Sequence, residues 1–475
     1  MEGIKGSGMN KRKNLLFIGT TSNAGKTFIT GFAGKILKEK FGIKTCPFKG
    51  QNMSNYAIVC EYDKEISIAQ ASQAHLMNVE PKADMNPVLL KPLGEGRSQV
   101  VVRGVPKKIT SARTYYQEID DLKPEVDAAY EKLKQDYDML VIEGAGSGFE
   151  LNLKNRDLAN QHMMEKEDVN IVLITNIEDG GVFASILGSY QLMSDDIKSR
   201  FKGVIINNFR GDVTLFDEGI EIIEKWGIPV LGVIPNINYG IDSEDSLAIM
   251  QSYGEKNQNI VQIGVIKYPR ASNINDIEPL VHDPNVQVSF INQRTNLDMF
   301  DKVILPGSRA VIDDLRWLKK TGIYEDLKNT RAQVYGICGG YQMLHKQIND
   351  PLGTESGAGS SDSETGLGFI SGNIEFKVEK VLKRQDYNLY EGINVHGFEM
   401  HTGVSDSHPV FFESPKVKGS MVHEIFHDDN FRNWWLSSGT EKNLQQWSFR
   451  NWKKGIQDNV AAQLAEIIDW ERMLG

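Results

Sequence analysis

Cys338 stands between an apolar run and two glycines, in the string VYGICGGYQML at 334–344. A strand, a sharp turn and a helix in that order would hold the thiol above a sheet, as a nucleophile elbow does. A helix N-terminus favours the thiolate. The Gly339 N–H, with a second N–H from LPGS at 305–308 around Gly307, could cradle an oxyanion. The competing reading is a packed, inert thiol, and the flanking glycines weigh against it because packing alone does not need them. A nucleophilic thiol requires a base. HGFEMHTG offers His396 and His401, and GSMVHEIFHDD offers His423 and His427. His423, at the end of a short apolar run, is the preferred partner. Cys46 and Cys60 complete the cysteines; three without ligand spacing predict neither a metal site nor a disulfide framework and suit a reducing cytoplasm.

A second chemistry is written in FIGTTSNAGKTFIT at 17–30. Gly19, Thr20, Asn23, Ala24 and Gly25 would form a loop whose N–H groups hold phosphates. Lys26 would reach the outer phosphates and Thr27 would ligate Mg²⁺. Five residues separate Gly19 from Gly25, one more than in the common motif. A phosphate site needs a carboxylate at a neighbouring strand end, and Glu143 in MLVIEGAGSG is the candidate metal ligand. The alternative is a solvated strand-end carboxylate. Polar strings at 47–57, 83–92 and 146–160 suit a large polar substrate, although such strings are often only turns. They supply Lys49, Gln51, Asn52, Ser54, Asp84, Asn86, Glu150, Asn152 and Arg156 as candidate substrate residues, and Arg210 is a further basic candidate.

These residues need a scaffold. β-Branched runs at 14–20, 44–50, 138–146, 170–177, 203–209 and 229–235 alternate with helical stretches, which predicts a parallel sheet covered on both faces. A polar stretch at 251–259 reads as a linker. A second α/β set follows at 261–268, 285–292, 301–307 and 332–340, then a Gly/Ser-rich segment at 353–366 and a last amphipathic helix at 458–474. The expected division is a basic tail at 1–13, a P-loop NTPase-like domain at 14–250 and a flavodoxin-like α/β domain at 260–475.

The chain has 475 residues, 40% hydrophobic and 24% charged, and a formal charge of −10. That acidity argues against a nucleic-acid partner, and no apolar run spans a bilayer. The basic start lacks the apolar core of a secretion signal, so the reading is cytoplasmic.

The quoted strings resemble known families. LPGS, GICGGYQML, GFEMHTG and GSMVHEIF follow the order of class I glutamine amidotransferases. The long-spaced loop resembles ATP-dependent synthetases related to dethiobiotin synthetase. With FKGQNMS, DMNPVLLKP, SQVVVRG, EGAGS, GGVFAS and NNFRGD, the chain from about residue 14 resembles the cobyric acid synthase family. The resemblance implies ATP- and Mg²⁺-dependent amidation of the b, d, e and g carboxylates of adenosylcobyrinic acid a,c-diamide in cobalamin biosynthesis. Each carboxylate would become an acyl phosphate that ammonia from glutamine displaces, travelling by an internal passage. Lys26, Thr27 and Glu143 would serve the first reaction; Cys338, His423 and the Gly339 N–H the second. Glutamine and a corrinoid are the implied partners; the sequence assigns no oligomeric state.

There are departures from the family pattern. Ile425 occupies the place of the third triad member, so a Cys–His dyad is expected. Glu424 stands for a usual Gly, Asn23 for a usual Asp, and Glu178-Asp179 for an expected Asp-Arg. Loss of that arginine bears on the choice or affinity of the corrinoid. Alternative readings are a related tetrapyrrole amidotransferase, such as cobyrinic acid a,c-diamide synthase, or a P-loop switch ATPase carrying a silent amidotransferase domain.

Overall fold

The computed structural model describes residues 12–94, 96–237, 260–355 and 361–475. The expected linker, most of the expected tail and the centre of the Gly/Ser-rich segment lie outside the described residues. The chain divides into two compact units. One comprises Met1–Asn55, Lys64–Tyr239 and Gly455–Gly475; the other comprises Tyr56–Asp63 and Gly240–Lys454.

The first unit is built on strands β1 (Asn14–Gly19), β2 (Thr45–Phe48), β3 (Met139–Glu143), β4 (Val169–Asn176), β5 (Phe201–Phe209) and β6 (Val230–Pro235). Their order in space is β6-β5-β4-β1-β3-β2, and every pairing is parallel. β1 is buried along its whole length, as continuous apolar runs in a doubly covered sheet must be. Helix α1 (Lys26–Phe41) starts after Gly25 and stops at Gly42, both left-handed. Helix α2 (Ile68–Leu76) is capped by the Ser67 hydroxyl, which accepts from the Gln70 N–H.

The second unit carries β7 (Val261–Ile266), β8 (Val286–Ile291), β9 (Lys302–Leu305) and helix α3 (Val311–Thr321). β10 (Gln333–Ile337) and the single-turn α4 (Gly339–Met343) follow. Next come two long strands, β11 (Ile370–Asn388) and β12 (Asn394–Ser405), which pair antiparallel outside the main sheet. β13 (Phe411–Glu413) and β14 (Val417–Ser420) complete that main sheet, ordered β8-β7-β9-β10-β14-β13 and parallel except at the β13 edge.

Both expected parallel sheets are present. The units differ from the expected division at two places. The expected last helix is two helices, α5 (Phe449–Ile467) and α6 (Trp470–Leu474), separated where Asp469 caps the second. Most of this stretch belongs to the first unit, not the second. Val460, Ala461, Leu464, Ile468, Trp470 and Met473 share a core with Leu15, Phe17, Ile205 and Leu231. Conversely, Tyr56–Asp63 belongs to the second unit. Its strand Ala57–Cys60 is wholly buried and packs on β11 and β12.

Among the described residues no helix is long and apolar enough to cross a membrane.

Candidate active sites

In the first unit, β1 sits between β3 and β4, so the loop after β1 opens at the carboxyl ends of the strands where the connections change direction. The loop needs its glycine at position 25. The φ there is +93°, and a Cβ would lie 2.1 Å from Asn207 Nδ2. Asn207, at the end of β5, donates that Nδ2 to the Ala24 carbonyl at 3.1 Å and so fixes the turn. With no side-chain cap at Gly25, the first N–H groups of α1 remain for an anion. Lys26 is buried. Its Nζ donates to the carbonyls of Thr21 (2.9 Å), Ser22 (3.3 Å) and Gly146 (2.7 Å), which arches the ammonium back over the loop.

Glu143, at the end of β3, is buried and collects four donors. Thr27 Oγ1 at 2.8 Å and Lys49 Nζ at 2.7 Å meet Oε1; Gln70 Nε2 at 3.1 Å and Gln73 Nε2 at 2.6 Å meet Oε2. Those four fill the acceptor capacity of one carboxylate. Gln70 and Gln73, three apart on α2, face one way as helical spacing requires. Neither was expected from sequence, because glutamines on a helix read as solvated surface. Thr27 gives its proton to Glu143 and keeps its lone pairs, so its oxygen is oriented to ligate a hard cation. Among the described residues no three His, Cys, Asp or Glu side chains could hold a metal by themselves. A cation here would complete its shell with phosphate and water oxygens, as Mg²⁺ does in phosphate sites.

The candidate substrate residues divide. Lys49, Asn52 and Asn86 are buried in the support of Glu143. Asn52 Nδ2 donates to Gln70 Oε1 at 3.0 Å, and Asn86 Nδ2 donates to the carbonyl of Lys49 at 3.2 Å. Asp84 is committed to Arg103 at 2.7 Å and Lys132 at 2.6 Å. Burial opposes its charge, but those hydrogen bonds hold its carboxyl below the usual range. Gln51 accepts from the Tyr115 hydroxyl at 2.8 Å, and the Ser54 N–H bonds the Leu90 carbonyl at 3.0 Å. Glu150, Asn152 and Arg156 are exposed around the turn Leu151–Arg156. Arg210 is exposed and ion-paired with Glu178, while Asp179 accepts from Asn176 Nδ2 at 3.3 Å.

In the second unit, Cys338 caps α4 at φ +47°, ψ −104°, the strained corner that an elbow requires. Gly339 lies so close to the LPGS turn that a Cβ would sit 2.5 Å from the Ser308 nitrogen. The Tyr268 hydroxyl, buried beneath, donates to the Pro306 carbonyl and braces that turn. A methyl group on Gly307 would lie 3.5 Å from His423 Cε1, so the expected oxyanion turn borders the imidazole.

His423 lies beside Cys338, whose charge acts on its imidazole, and the other expected histidines are committed elsewhere. His396 pairs with Asp386, His401 with Glu399 and the Gly403 carbonyl, and His427 with the Asn275 carbonyl. The expected dyad needs correction. Asp276 Oδ2 accepts from His423 Nδ1 at 2.7 Å, with both side chains buried, and supplies a third member from a different place in the chain. Burial opposes the imidazolium, but the charges of Asp276 and Cys338 outweigh it and raise the His423 pKa well above the usual value. The Glu424 N–H donates to the other oxygen, Asp276 Oδ1, at 2.8 Å. Glu424 has φ +64°, which explains why glycine suits this position; a side chain there costs about 1–2 kcal/mol.

Residues 15–242 match the CobQ/CobB/MinD/ParA nucleotide binding domain, and residues 262–431 match the CobB/CobQ-like glutamine amidotransferase domain. The chain is 43% identical to a cobyric acid synthase of Acinetobacter baylyi, covering 89% of this chain and 90% of that one. It is 35% identical to a cobyric acid synthase of Prochlorococcus marinus subsp. pastoris, covering 95% of each. It is 37% identical to a probable cobyric acid synthase of Methanosarcina acetivorans, covering 89% of this chain and 90% of that one.

Proposed function

The chain belongs to the cobyric acid synthase family, and from that premise we propose that it amidates the b, d, e and g carboxylates of adenosylcobyrinic acid a,c-diamide through acyl phosphates. Membership makes it a glutamine-dependent, ATP-using amidoligase of cobalamin biosynthesis. The observation that carries the proposal is the presence of both reaction centres in one chain: a phosphate cradle ending in Lys26-Thr27, and Cys338 with His423 and Asp276.

In the first centre, the α1 N-terminus and Lys26 would hold the triphosphate, and Thr27, its hydroxyl oriented by Glu143, would hold Mg²⁺. The cation would neutralise charge on the phosphates during transfer to a carboxylate. In the second, the Cys338 thiolate attacks the glutamine amide carbon. The Gly339 N–H and an N–H of the LPGS turn take the oxyanion. His423, held by Asp276, gives a proton to the departing ammonia and later activates the water that releases glutamate.

The test is mass spectrometry of the product after incubation with ATP, Mg²⁺, glutamine and cobyrinic acid a,c-diamide. Four successive amidations are expected. Amidation of only two carboxylates, or of a less amidated precursor, would favour the related a,c-diamide synthase reading.

Asp276→Asn should lower glutamine-supported amidation on the order of 10²-fold. That is less than the ~10⁴-fold loss when a serine triad loses its aspartate, because thiolate is intrinsically nucleophilic. The sign of the pH effect follows from the carboxylate. Removing its charge lowers the His423 pKa, so the thiolate–imidazolium pair is lost at lower pH and the alkaline limb of glutaminase kcat/KM moves down. A limb that stays in place would remove Asp276 from the reaction.

Asp179→Arg should change KM for cobyrinic acid a,c-diamide by only a few-fold, since the site is exposed and the neighbouring Arg210 already has a partner in Glu178. Steady-state kinetics with two corrinoids would check this. A large gain on this acceptor with loss on another would mean that the departure sets substrate choice.

A further inference from the structure

Arg384, on β11, occupies a junction that the reaction above does not use. Its Nη1 pairs with Glu424 Oε2 at 3.0 Å, and its Nε donates to the Val59 carbonyl. Its backbone N–H donates to Asp63 Oδ1 at 3.1 Å. The guanidinium lies 5.0 Å over the ring of Phe398. Phe398 in turn stacks on His423, centroids 5.0 Å apart and planes 24° apart, and the His423 N–H bonds the Phe398 carbonyl at 2.8 Å.

Two routes therefore run from Arg384 to the catalytic imidazole. One passes through the Phe398 ring. The other passes through Glu424, whose left-handed turn aims its N–H at Asp276, which holds His423. The far side of Arg384 is fixed by Tyr56–Asp63, where Tyr62 and Asp63 are both left-handed at φ +61° and +55°. In chain order this stretch follows the string that carries Lys49, the partner of Glu143.

We propose that Arg384 and Glu424 are positioning residues for glutamine hydrolysis, and that Tyr56–Asp63 sets their geometry. The proposal rests on the reading of Cys338, His423 and Asp276 as the glutaminase centre. The ion pair holds a turn that a non-glycine residue adopts at a cost, and that turn orients the aspartate. Glutamine use depends on this arrangement; use of free ammonia does not.

The test compares Arg384→Met, Glu424→Gln and the double variant in the full chain, with amidation supported by glutamine or by ammonium. The ratio of glutamine- to ammonia-supported rates should fall about tenfold in Arg384→Met, the scale for losing a group that orients a reactive one. The double variant should be within about twofold of Arg384→Met, because both substitutions break one link. Among the described residues, Asp276 and Cys338 are the titratable groups that act on His423, with Asn273, Phe398 and the Gly307 turn among its other neighbours. A loosened Asp276 should therefore move the alkaline limb of glutaminase to lower pH in Arg384→Met, which lost stability alone would not do. If Arg384→Met loses both nitrogen sources, Glu424→Gln decides, since it removes the carboxylate charge and keeps the side chain's size. An unchanged ratio in Glu424→Gln, or losses that multiply in the double variant, would overturn the proposal. If Cys338→Ala still used glutamine, the underlying reading would fail; if it did not and the ratios above held at the unmodified value, only the positioning role would fail.

Discussion

Cys338→Ala should abolish amidation from glutamine and leave amidation from ammonium near that of the unmodified chain. A thioester at the α4 corner requires the thiol, and the corner that carries it is strained at φ +47°. Without it, His423 and Asp276 remain but have no nucleophile to protonate through, and water attack on an amide is slow by many orders of magnitude. Ammonium supplied directly bypasses the corner. The measurement is the initial rate of corrinoid amidation with each nitrogen source, at alkaline pH so that free ammonia is available. Because alanine fits the buried space left by a thiol, the fold should survive, and the retained ammonia rate reports this in the same experiment. Sustained glutamine use would mean that another residue attacks the amide.

The parallel sheets were legible because their strands are continuous apolar runs bounded by glycine or polar turns. NLLFIG and VNIVLITN are buried nearly throughout, and no surface pattern competes with that signal. The cradle and Cys338 were legible for a related reason: each is a local motif whose strand, turn and helix are contiguous. Asp276 was not. It lies 147 residues before His423, in the polar string NINDIE, after a left-handed Asn273 that turns it inward. Nothing in composition separates that aspartate from a turn residue. The four-donor shell of Glu143 was half legible. Lys49 stands out in FKGQNMS as a polar candidate, whereas Gln70 and Gln73 converge only once α2 is packed. Long-range polar convergence depends on tertiary placement, and one-dimensional periodicity does not encode it.

Lys26→Ala should suppress amidation from glutamine and from ammonium alike, by ~10²-fold or more, the scale for removing one preorganised charge from a developing anion. On the proposed mechanism the two nitrogen sources would converge on the same acyl phosphate, so a defect before that point could not be bypassed as the Cys338 defect can. Lys26 donates to the carbonyls of Thr21, Ser22 and Gly146. The alanine variant leaves those acceptors beside an exposed loop that water can reach, and the chain should still fold. The N–H groups of α1 and the left-handed Gly25 are unchanged, so ATP binding should weaken less than catalysis. A nucleotide-binding titration alongside both amidation assays separates the two effects. Full ammonia-supported activity would exclude Lys26 from phosphoryl transfer. Loss of ATP affinity in proportion to the rate would instead make Lys26 a binding group alone, with transition-state charge borne by the helix N-terminus.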